Sequence, residues 1–108
     1  MTNIPELFML YVTFPTPQAA HDAARALVEK KLVACVNIYP HVTSIYRWKN
    51  QVEETTETVL IAKTSAAKRA SAEAEVKRLH SYEVPCIIAY PIAGGYLPFL
   101  QWVADETA

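Results

Sequence analysis

At 108 residues the chain is long enough for one hydrophobic core and too short for a second domain of ordinary size, so residues 1–108 read as a single domain. Hydrophobic residues make up 52% of it, rich for so small a domain, and some of that surface is expected to meet another subunit. Ten Lys and Arg against eleven Asp and Glu leave a net charge of -1, which excludes the electrostatic footprint of a nucleic-acid or anionic-membrane binder.

The opening Met1-Thr2-Asn3-Ile4-Pro5-Glu6 has neither the basic segment nor the apolar run of a signal peptide, which points to a cytoplasmic protein. Residues 8–14 are aromatic and β-branched and stop at Pro15, the pattern of a buried strand. Thr16-Pro17 then opens a helix, with Thr as cap and Pro at the first helical position. Its apolar stripe is Ala20, Ala23, Ala24, Leu27 and Val28. Residues 33–48 are strand-like but long, and Pro40 in their middle predicts a bend or bulge. Beyond it Val42, Ser44, Tyr46 and Trp48 share one face. A turn at 49–51 leads into a returning strand over 55–64, with Glu57, Val59, Ile61 and Lys63 on one side. This hairpin overhangs so small a domain, and its apolar side chains need cover from other subunits.

Residues 65–80 predict a second helix, capped by Ser65 and buried through Ala72, Val76 and Leu79. The 84–104 stretch holds no charged residue and is nominally long enough to span a membrane, but Pro85, Pro91, Pro98 and Gly94-Gly95 break it into pieces. It reads as a strand over 86–92, at an edge or bulged because of Pro91, then a short terminal helix over 96–103. The order is a split βαβ arrangement: an α+β, ferredoxin-like sandwich with an antiparallel sheet, a long hairpin and a short C-terminal helix.

No phosphate loop, metalloprotease pair, nucleophile elbow or paired-cysteine metal motif is present, so the chain reads as a non-enzyme with no obligatory cofactor. Two cysteines fall short of a disulfide framework and imply free thiols in a reducing compartment. Cys35 and Cys86 read either as small buried hydrophobes or, if close together, as soft ligands for copper. His80 closes the second helix beside Ser81-Tyr82-Glu83 and is either a cap on its carbonyls or a metal ligand. Glu57 and Lys63 face either water or a polar pocket, which Tyr82, Glu83 and Trp48 would complete for a small anionic metabolite.

Glu29-Lys30-Lys31-Leu32-Val33-Ala34-Cys35-Val36-Asn37-Ile38, Thr43-Ser44-Ile45-Tyr46-Arg47-Trp48, Lys63-Thr64, His80-Ser81-Tyr82-Glu83-Val84-Pro85 and Leu100-Gln101-Trp102 together resemble the CutA divalent-ion tolerance proteins. The resemblance covers nearly the whole chain. It implies a ferredoxin-like homotrimer with hairpins packed between subunits, kin in architecture to the PII signalling proteins, and an association with copper or another divalent cation. Copper ligation in some members uses the His matching His80 and a first-strand Cys, where this chain has Val12. Ser81 and Cys86 are further departures, standing where the family usually has Pro and Glu. Three functions follow from these readings: a metal-response protein, a PII-like metabolite sensor and a trimeric scaffold for protein partners.

Overall fold

The computed structural model of the chain describes residues 4–108; residues 1–3, where the reading of the N-terminus begins, lie outside the described residues. Its elements are β1 (Leu7–Phe14), α1 (Pro17–Glu29), β2 (Cys35–Trp48), β3 (Gln51–Ser65), α2 (Ala66–Leu79), β4 (Ile87–Pro91) and α3 (Leu97–Glu106). The strands form one antiparallel sheet in the order β2-β3-β1-β4. This is the ferredoxin-like α+β arrangement that the sequence predicts.

Period-2 alternation divides β1 between two faces. Leu10, Val12 and Phe14 join Leu60 and Ala62 of β3 against Ala20, Ala23 and Leu27 of α1 and Ala72 and Val76 of α2. The small residues let both helices approach the sheet closely. Val28 and Leu79, expected on the apolar stripes, are instead partly exposed. On the opposite face α3 covers only the Leu7 end, through Leu100 and Val103. Tyr96 and Phe99, expected beside them, face outward.

The helix ends have local causes. Thr16 Oγ1 accepts the Ala19 N–H at 3.1 Å, and Pro17 occupies the first turn, where its missing N–H costs nothing. At the other end Lys31 N–H donates to Val28 O and Leu32 N–H to Leu27 O, both at 3.0 Å, with Lys31 at φ 58. This is a Schellman cap with a lysine in the left-handed position that glycine favours. Lys31→Gly is therefore expected to raise stability by about 0.5–1 kcal/mol, the relieved strain less the extra chain entropy of glycine, as read by urea unfolding. Ser65 departs from expectation. It sits at the start of α2, but its side chain makes no capping bond and its Oγ is buried without a partner. Lys30 and Arg78 both pair with Glu75, tying the end of α1 to α2.

The hairpin is longer and tighter than its sequence suggests. Lys49 and Asn50 alone form the turn, both at positive φ, so β3 begins at Gln51. Glu53 and Glu54 are weak strand formers, but pairing with Tyr46 and Ile45 extends the ladder through them. The hairpin stretches the domain to 51 Å along its longest axis and leaves Ile45 65% and Val52 66% exposed. At Pro40 the expected irregularity is present: the register runs Tyr39↔Val59 and then Val42↔Glu57, so two residues oppose one. His41 takes φ 61 there, and β2 is an outer strand, where a proline lacking its N–H is tolerated.

Pro91 likewise lies on an outer strand, as expected. The uncharged 84–104 stretch divides into loop, strand and helix. No helix among the described residues is long and apolar enough to cross a membrane.

Candidate functional site

The extra residue at the bulge decides which β2 side chains reach β3's open face. A one-residue shift inverts every following side chain. With Val42 opposite Glu57, residues Ser44, Tyr46 and Trp48 stand on the Glu57 side. Tyr11 and Thr13 of β1 share that face by alternation, and the loop from Ser81 to Cys86 closes over the end of β1. Together these groups line one cleft of about 770 Å³, within the range that accommodates small molecules.

His80 holds the loop in place. Pairing of β4 with β1 stops at Val12, and the His80 Nε2 contacts the next carbonyl, Thr13 O, at 2.6 Å. Its Nδ1 accepts the Tyr82 backbone N–H at 3.1 Å, so the proton resides on Nε2, which donates to Thr13 O. The ring stacks on Phe14 at 4.5 Å and lies 4.7 Å from Tyr82. Both nitrogens are thus engaged with backbone. Fixing Tyr82 in this way brings its hydroxyl to Glu57, donating to Oε2 at 2.8 Å.

Glu57 is only 6% exposed, and no Lys, Arg or His is among the residues lining the cleft. Its charge acts on its neighbours. Burial, reinforced by the hydrogen bond and charge of Glu57, pushes Tyr82 up to about 12 from an ordinary 10.0. Burial and then the Glu57 charge push the Cys86 thiol up, partly opposed by a hydrogen bond from Thr13. Both groups are held neutral beside a carboxylate.

For Tyr82 the native state keeps its proton through an interval in which the unfolded chain has lost it. Its contribution is complete below pH 10.0 and is lost as pH rises through about 12. Titration of phenolate absorbance is expected to show one late-ionising tyrosine that is missing from Tyr82→Phe.

Glu57, Tyr82, Glu83 and Trp48 therefore meet in one cleft, and Cys86 joins them. Lys63 does not. It shares the Glu57 face but lies six residues along β3, about 20 Å away, where its Nζ donates to Asn37 Oδ1 at 2.9 Å. Nor do the two cysteines come together. Cys35, on β2, pairs with Lys63 of β3, whereas Cys86 precedes β4, three strand spacings or about 14 Å across the sheet. Both thiols are free. Val12, at the first-strand position noted above, is fully buried in the core. No group of three or more His, Cys, Asp or Glu side chains suited to a metal is found among the described residues. Sequence reasoning missed Tyr11 and Thr13 as cleft residues. Strand alternation places them on the face of Met9, and only the register with β3 brings them to Glu57.

The fold and the cleft define an α+β protein of ferredoxin-like architecture with an overhanging hairpin, a class that does not by itself name an activity. The match to CutA1 divalent ion tolerance protein extends over residues 8–106, and the chain belongs to that family. A CutA homolog of Xenopus laevis is 48% identical over 95 residues, covering 88% of this chain and 63% of that protein. The divalent-cation tolerance protein CutA of Archaeoglobus fulgidus is 46% identical over 98 residues, covering 91% and 94%. The crystal structure of CutA1 from Oryza sativa superposes with a TM-score of 0.93 at 36% identity, covering 99% of this chain and 98% of that one. The chain thus spans less than two thirds of the frog relative and nearly all of the archaeal one. None of these names carries an enzymatic activity.

Proposed function

We propose that the chain works as a homotrimer, without catalysis, in the tolerance of divalent metal ions such as copper, and that the cleft beneath the hairpin takes up the cation. One observation carries this reading: Glu57 is almost completely buried in a cleft whose lining contains no basic side chain. A buried carboxylate in such surroundings favours a positive ligand. The Glu57 carboxylate and the Cys86 thiol pair a hard donor with a soft one, which suits zinc or copper better than magnesium or calcium. Two such donors per subunit make for weak binding. An anionic metabolite would need Lys63, which is engaged with Asn37 elsewhere.

Trimerisation is supported by the projecting hairpin, which exposes Tyr39 and Trp48 on one face and Ile45 and Val52 on the other, apolar side chains of the kind partner subunits cover. The two free thiols accord with a reducing, cytoplasmic setting.

Calorimetric titration of the reduced protein with zinc and copper tests the site. Cys86→Ser is expected to weaken binding about tenfold or more. Because the thiol must lose its proton on ligation, affinity should rise by up to about tenfold per pH unit below its ionisation. Binding that is indifferent to Cys86→Ser and to pH contradicts the assignment, and a monomer in sedimentation contradicts the trimer.

A further inference from the structure

We infer that His80 is a proton-sensitive latch on the 81–86 loop: the closed loop accepts only the neutral imidazole, and proton uptake at Nδ1 frees the loop from β1 and from Glu57. The inference concerns the position of the loop and does not depend on what the cleft binds.

The hydrogen bonds of the ring are the first argument. Nδ1 carries the one free lone pair of the neutral imidazole, and the Tyr82 backbone N–H donates into it at 3.1 Å. A proton there sets one N–H against another, so the charged ring and the closed loop exclude each other. Nε2 donates to Thr13 O at 2.6 Å, and Phe14 stacks against the ring at 4.5 Å. Turning the ring over offers no escape, because both partners then face carbon.

The second argument is how little else holds the loop. Pairing of β4 with β1 begins at Ile87, and among the described residues none from Ser81 to Cys86 makes a backbone–backbone hydrogen bond. Tyr82 anchors the segment through its N–H and through its hydroxyl, which donates to Glu57 at 2.8 Å, and the Cys86 thiol lies beside Thr13. The two bonds of the His80 ring lie within one chain and off the overhanging hairpin, so subunits packed on the hairpin do not supply them.

The surroundings are the third. The titratable and charged groups about the ring are Tyr82, Glu83 and Cys86 on the loop, Tyr11 on β1, Glu57 on β3 behind the Tyr82 hydroxyl, and Lys77 and Arg78 on the last turn of α2. Arg78 is turned to Glu75, and no carboxylate pairs with the ring among the described residues. The closed loop therefore gives an imidazolium no counter-ion. Opening takes up a proton, and the open fraction rises as pH falls. An imidazole free in water gains its proton near about pH 6.5, so confining protonation to the open loop favours opening by up to about thirtyfold between pH 8 and pH 5.

Heteronuclear NMR of the full-length reduced protein tests the latch. At pH 8 the ring nitrogens should report a neutral His80 with its proton on Nε2. On lowering the pH to 5, exchange protection of the Tyr82 amide, corrected for the intrinsic pH dependence of exchange, should fall about tenfold to thirtyfold, while the Leu10 and Val12 amides keep theirs. His80→Gln offers a donor and an acceptor but takes up no proton, and should abolish the fall. Tyr82→Phe keeps the backbone bond to Nδ1 and should retain the fall at residue 82. Protection unchanged down to pH 5 overturns the inference, as does a proton on Nδ1 at pH 8. A fall that persists in His80→Gln, or one that vanishes in Tyr82→Phe, assigns the titration to another group and overturns it equally.

Discussion

Leu10→Ala is expected to cost about 3 kcal/mol of stability, within the range of about 2–5 kcal/mol for such truncations in a close-packed core. Leu10 is fully buried at the middle of β1, one of the two interior strands, paired with Ala62 and Ala89. Helices α1 and α2 meet it through Ala23 and Ala72 among others. Alanines have no length to spare, so the site is poorly able to collapse around the void. For a domain of this size the loss corresponds to a fall of about 10–20 °C in melting temperature. Wild type and variant must be compared at equal protein concentration, because a trimer's melting temperature depends on it. A drop below about 3 °C contradicts the placement of Leu10 at the centre of the core.

Glu57→Gln separates charge from shape. Glutamine keeps an oxygen for the Tyr82 hydroxyl, so the loop anchored by His80 stays in place and stability should change by no more than about 1 kcal/mol. The electrostatics change more. Without the carboxylate, Tyr82 ionises nearer its ordinary 10.0, although burial, the largest cause of its shift, persists. The Cys86 thiol also relaxes toward its ordinary range. A more acidic thiol by itself favours metal binding, so the expected loss of zinc affinity, about tenfold or more, isolates the carboxylate's own contribution. A stable variant with unchanged zinc affinity contradicts the role given to Glu57.

Most of the fold is legible in the sequence because its signals are local. Thr16-Pro17 starts a helix by capping, the alanine stripe of α1 faces the sheet by period, and Pro91 restricts β4 to an edge. Readings that depend on distant pairing fare differently. Glu57 and Lys63 share a strand face, and alternation alone cannot show that six residues of strand separate their surroundings. The bulge at Pro40 is signalled by the proline, but its consequence for Tyr46 and Trp48 depends on which strand carries the extra residue.

His80 is conspicuous at the end of a helix. Nothing in its neighbourhood reveals that its ring bonds to Thr13, 67 residues earlier, and thereby aims Tyr82 at Glu57. The cysteines illustrate the same limit. Each looks alike in an apolar strand context, and only the strand order shows that Cys86 belongs to the cleft and Cys35 does not.

The most direct test of the central claim is anomalous diffraction from crystals grown with zinc, which locates the cation without reference to affinity. The account predicts a peak in each cleft within bonding distance of the Glu57 carboxylate and the Cys86 sulfur. Anomalous peaks confined to surface side chains, with the cleft empty, contradict it.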